Sequence, residues 1–188
     1  MGREVRRVPK DWKHPKDAKG NYIPLNYYGK PFSQIVKEWD EESAKWDQGF
    51  KEDYHGGWEK FDKSECDMTF AEWYGERMKK EDYMPEFPEK EMTHYQMYET
   101  CSEGTPISPV METPEELARW LADNNASAFG AQSATYYEWL NTIREGSCPS
   151  FYITNDYGII SGVSASLAMK RMPSQEKDVQ QKEDGGKD

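Results

Sequence analysis

TPISPVMETPEELARWLADN (residues 105–124), followed by ASAFG (126–130) and TYYEWLNTIREG (135–146), sets the architecture of this chain. It reads as an extended entry, a capped helix, a loop of small residues and a second capped helix. Thr113 can accept from the free N–H groups of the first turn, Pro114 loses nothing at the first helical position, and Glu116 can reach back to complete a capping box. Thr135 and Glu138 repeat the arrangement, with Gly146 as the stop. This spacing predicts helices over 114–124 and 135–145. Thr69-Phe-Ala-Glu72 is a third box and predicts a short helix over 69–77. Further upstream Ile35, Val36, Trp39, Ser43 and Trp46 share one face of a helix over 33–48, with Ser33 as its cap and Gly49 as its end.

Between the helices the pattern turns extended. The aromatic and Thr content of residues 94–100 suits a strand, and Ser102-Glu103-Gly104 a turn. A short strand over 105–110 then pairs back, confined to an edge by Pro106 and Pro109. Residues 151–163 read as a second hairpin around Asn155-Asp156-Tyr157-Gly158. The expected fold is therefore α+β: a single small domain over 32–165, with about four helices on a small antiparallel sheet. An extended basic arm (1–31) packs on it, and a disordered tail (166–188) follows. Pro9, Pro15 and Pro24 deny the arm a continuous helix, and Lys19-Gly20-Asn21 marks a turn. Residues 54–58 read as a flexible loop and 79–90 as a surface connection.

Composition sets further bounds. Apolar residues make up 36% of the 188 and aromatic residues 14%, with seven Trp and twelve Tyr, at a mean hydropathy of -1.05. Low hydropathy with high net charge leans towards disorder, but disordered chains are poor in rings. The expectation is a core of large rings with few aliphatics, rich in side-chain hydrogen bonds. The formal net charge of -11 is unevenly spread. Residues 1–37 carry nine Lys/Arg against three Asp/Glu, and residues 38–116 carry eight against twenty-three. An acidic body repels phosphates, which disfavours nucleic acid as its partner, and suits a basic protein surface instead.

Three cysteines, Cys66, Cys101 and Cys148, are widely spaced and odd in number, which fits a reducing compartment rather than a disulfide framework. Residues 1–20 lack the apolar run of a secretory leader, so none is expected, and no run approaches 18 apolar residues. Arg6 stands where a myristoylation signal at Gly2 would need Ser or Thr. His14, His55, His94 and the cysteines lack the close spacing of a zinc site, so no metal is expected. His94 and Cys101 are the one pair worth testing for nucleophilic chemistry, and neither a nucleophile elbow nor a phosphate loop is present. No catalytic residue and no cofactor is assigned.

The opening GREVRRVP (2–9), with Trp12 and His14-Pro15, resembles the corresponding segment of a group of uncharacterised bacteriophage and prophage proteins. So do Tyr98-Glu99, SEGTPISP (102–109), ETPEELARWLAD (112–123) and ASAFG (126–130). The resemblance implies a phage accessory protein of the bacterial host cytoplasm, and it carries no residue roles. The leading expectation is a non-enzymatic binder of a host or phage protein, in host takeover or evasion of defence. Its candidate contacts are Glu38, Glu41 and Glu42 on the acidic helix face and Arg3, Arg6 and Arg7 on the arm. A second reading is a small-molecule site or enzyme with a pocket near Tyr98 and the 126–130 loop. A third is nucleic-acid handling through the basic arm, including Lys10 and Lys13.

Overall fold

The structure, a computed structural model, describes residues 2–53, 55–62, 66–100, 104–154 and 158–171. In chain order its elements are β1 (Gly2–Val8), α1 (Phe32–Asp47), β2 (Phe50–Glu52), β3 (Trp58–Lys60), α2 (Phe70–Tyr74), β4 (His94–Glu99), β5 (Thr105–Pro106), α3 (Pro114–Asp123), α4 (Tyr136–Glu145), β6 (Ser147–Pro149), β7 (Phe151–Thr154), β8 (Gly158–Ser161) and α5 (Gly162–Arg171). The class is α+β, and every sheet pairing is antiparallel. The chain forms two compact units: residues 24–86, and residues 1–23 together with 87–188.

The larger unit is organised by β1. Its sheet runs in the order β5-β4-β1-β6, with β1 and β4 in register from Arg3↔Glu99 to Val8↔His94. Residues 2–8, read as part of an arm, are thus an interior strand. Side chains alternate across a strand, so one face of β1/β4 carries Val5 and Met97 and the other Glu4, Arg6, Gln96 and Tyr98. The first face packs on α3, α4 and α5. Met97, Leu117, Leu121, Trp139, Ile143, Cys148 and Val163 form one buried apolar cluster there. All three Thr/Glu capping boxes form with both halves bonded, at α2, α3 and α4. Gly2 and Gly162 lie so close to β6 that an added Cβ would sit 1.7 Å from the carbonyl oxygens of Cys148 and Pro149 respectively.

The second face is covered by the segment after β1 rather than by helices. Trp12 Nε1 donates to the Tyr98 hydroxyl at 3.1 Å. The Tyr98 hydroxyl donates to Gln96 Oε1 at 2.8 Å and lies 3.3 Å from His14 Nδ1. His14 Nε2 lies 2.6 Å from the Ile23 carbonyl, which can only accept, so this nitrogen carries the hydrogen. Gln96 Nε2 donates to the Ser108 carbonyl at 2.8 Å. The Arg6 guanidinium stacks 4.1 Å above the Tyr98 ring. Burial pushes the Tyr98 phenol up to about 12, and burial also pulls the His14 imidazole down.

The smaller unit has the ring-built core expected from composition. Trp46 lies 4.5 Å from Phe61 and 5.4 Å from Trp73 between centroids, and Phe70 stacks on Tyr74 at 4.9 Å. The larger unit, by contrast, relies on Leu, Ile, Val and Met. Ser33 does not cap α1. Pro31 occupies that position, and the Glu86 carboxylate accepts from Phe32 N at 2.7 Å instead. Residues read as a flexible loop lie in the β2–β3 hairpin, where Asp53 Oδ1 accepts from the backbone N of His55 and Gly57. Residues 166–171, assigned to a disordered tail, continue α5, and the rest of that tail (172–188) lies outside the described residues.

Candidate functional site

Helix α2 is only five residues long, held by the Thr69/Glu72 box at its start and ended by Gly75 at φ 105°. One and a half turns can bury one side chain well, and that one is Phe70. Trp73 and Tyr74 therefore remain 51% and 49% exposed. They share a cleft of about 280 Å³ with Lys51, Glu52, Asp53 and Glu59 of the β2–β3 hairpin. The Tyr74 hydroxyl donates to Glu52 Oε2 at 2.9 Å, and this carboxylate pushes the phenol up. Lys51 is spent on Glu59 at 3.1 Å, directly across the hairpin.

Glu42 of α1 adds to the charge. Burial, then the nearby Glu52 and Glu38 carboxylates, push its carboxyl upward. Burial is the larger cause, and the neighbouring carboxylates add to it.

Glu38 and Glu41, also singled out from the sequence, are paired, and so is their neighbour Asp40. Glu38 accepts from Lys30 Nζ with both oxygens and from Gln34, and these bonds hold its carboxyl low. Glu41 pairs with Lys37 one turn back at 3.5 Å. Asp40 takes a two-pronged bond from Arg77.

The three arginines do not form one basic face. Arg3 is 4% exposed; its Nε donates to the Ser127 carbonyl at 2.9 Å and its Nη1 lies 3.2 Å from Glu99. Arg6 is 3% exposed and lies 3.4 Å from Glu4 on the opposite face of the sheet. Arg7 is exposed and donates to Glu89 and to the Met92 carbonyl, both at 2.6 Å. The 126–130 loop contributes Ala128 to the apolar cluster and is tied to Arg3, so it and Tyr98 lie on opposite sides of the sheet. Among the described residues no three His, Cys, Asp or Glu side chains are grouped to hold a metal. His94 bonds to Thr93 Oγ1 at 2.8 Å, while Cys101 lies outside the described residues. No described helix is long and apolar enough to cross a membrane.

Comparison of the chain with known protein families, curated proteins and solved structures found no match.

Sequence reading missed Trp73, Tyr74, Glu52, Asp53 and Glu59. A signal was present: a capping box only six residues before Gly75 leaves room for a helix too short to bury two large rings.

Proposed function

We propose that this chain is a phage accessory protein that acts by binding, and that its partner in the bacterial cytoplasm is a protein presenting a basic segment. The observation that carries the reading is the α2/β2–β3 cleft, where two half-exposed rings stand beside three carboxylates. Trp and Tyr are enriched at the energetic centres of interfaces, and ring faces attract Arg and Lys. The carboxylates add charge complementarity, which favours fast encounter and selects against acidic partners. The phage resemblance of the 2–15 and 98–130 blocks supports the cellular setting, host takeover or evasion of a defence system.

Binding is favoured over catalysis because the best-placed acid–base groups are committed. His14 Nε2–H is taken by the Ile23 carbonyl and the Tyr98 hydroxyl by Trp12 and Gln96, and a phenol near 12 is a poor proton donor or acceptor at neutral pH.

The test is a pull-down from bacterial lysate with and without phage infection, read by mass spectrometry. One stoichiometric protein is expected, and about tenfold less of it with E52K/E59K or with Trp73→Ala. Retention unchanged by both variants would reject the cleft, and an empty lane in both lysates would reject the function.

A further inference from the structure

Against the polar face of the β1/β4 sheet lies a cavity of about 520 Å³, within the roughly 300–1,000 Å³ span of small-molecule sites. Its walls come from the segment after β1 (Trp12, Lys13, His14, Lys16, Tyr22), from Gln96 of β4, and from residues 108–110. No carboxylate is among them. Four other cavities each carry at least one, as expected of a chain with net charge -11. Among the described residues neither Lys13 nor Lys16 has an ion-pair partner. Lys16 Nζ rests 4.5 Å above the Tyr22 ring.

The floor is built from buried polar groups. Gln96, His14 and Ser108 are each at least nine-tenths buried. Gln96 gives one amide hydrogen to the Ser108 carbonyl and keeps a second. Trp12 and Tyr22 offer flat apolar surfaces, fixed by the Trp12–Tyr98 bond and by edge contact of Tyr22 with His14 at 5.5 Å.

We propose that this cavity binds a small nucleotide: a planar heterocycle against Trp12 and Tyr22 with its edge at the Gln96 amide, and its phosphate on Lys13 and Lys16. Two lysines with no carboxylate among them select an anion, and aromatic walls select a ring. The amide supplies the directional contact that a featureless aromatic acid would leave unused. The chain has no glycine-rich phosphate loop, so the phosphate charge is met by lysine side chains rather than by backbone N–H groups.

The experiment is isothermal titration calorimetry on the full chain at low salt with AMP and UMP, alongside inorganic phosphate and adenosine. At least one monophosphate is expected to bind, and phosphate or nucleoside alone about tenfold more weakly or worse. K13E/K16E, both exposed, should lower affinity about tenfold or more with an unchanged melting temperature, and the milder K13Q/K16Q should fall between. E52K/E59K should leave it unaltered, which separates this site from the protein-binding cleft. No binding of either monophosphate, equal binding of inorganic phosphate, or affinity untouched by the lysine variants would overturn the proposal.

Discussion

Met97 and Tyr98 are neighbours in β4, both fully buried, and they belong to two different kinds of interior. Met97 enters the apolar cluster with Leu117, Leu121 and Trp139, where cohesion is non-directional and scales with the area removed from water. Tyr98 enters a network in which its hydroxyl accepts from Trp12 and donates to Gln96, with His14 packed beside it. That face is cohesive only while every partner keeps its geometry, because a buried polar group left alone costs more than a bond made returns. One sheet can therefore be secured by bulk on one side and by direction on the other.

The largest expected effect lies on the bulk side. Met97→Ala leaves a void among fully buried neighbours and should lower unfolding free energy by about 2–5 kcal/mol in urea denaturation. The outcome that would dissolve the contrast is a loss no greater than that of Tyr98→Phe. That second change keeps the ring and removes one hydroxyl, leaving the Trp12 donor and the Gln96 acceptor unpaired. It should cost about 1–3 kcal/mol. Its signature is spatial: amide exchange should accelerate over residues 9–23 and stay slow in α3 and α4. Uniform acceleration would mean that the two faces are one cooperative whole.

The smallest effect is in pH. The His14 imidazole is held low by burial in the fold, while in the unfolded chain it titrates near the usual value of about 6.5. Between those points the unfolded state binds the extra proton. Stability is therefore full above about 6.5 and declines as pH falls towards the folded value, by at most about 1.4 kcal/mol per pH unit. Melting temperature measured across that window should slope in the native chain and flatten in His14→Gln. An equal slope in both would place the titration on another group, and not on Glu4, whose raised carboxyl gives a slope of the opposite sign.

What could be read in advance divides along the same line. The three capping boxes, the two hairpins and the Trp stripe of α1 are local or periodic signals, and all are present. The strand read over 105–110 is only Thr105–Pro106, though, the second hairpin ends at Ser161 rather than 163, and of the stripe only Trp46 is buried. β1 was legible only as extended chain. Its residues Gly-Arg-Glu-Val-Arg-Arg-Val give no apolar alternation, because Arg3 and Arg6 occupy interior positions on opposite faces. Buried arginines look like surface to any hydrophobic pattern, and that also made the strand look like a basic arm. Helix α5 escaped because Val163 and Ala165 bury little area each and its small residues give a weak stripe. The α2 cleft was hidden for the converse reason: a Trp is expected inside, and its exposure depends on helix length and on a hairpin brought from twenty residues earlier.

The placement of β1 also has a temporal side. Its partners β4 and β6 are synthesised roughly ninety and 145 residues after it, and in between comes residues 24–86, a unit continuous in sequence. Closing so long a loop is slow compared with local folding. On the ribosome the smaller unit can be complete while Gly2–Val8 is still an unpaired strand, with Arg3 and Arg6 hydrated and charged. Those two arginines, awkward as interior residues, keep the waiting strand soluble and make it a poor template for other chains until β4 arrives.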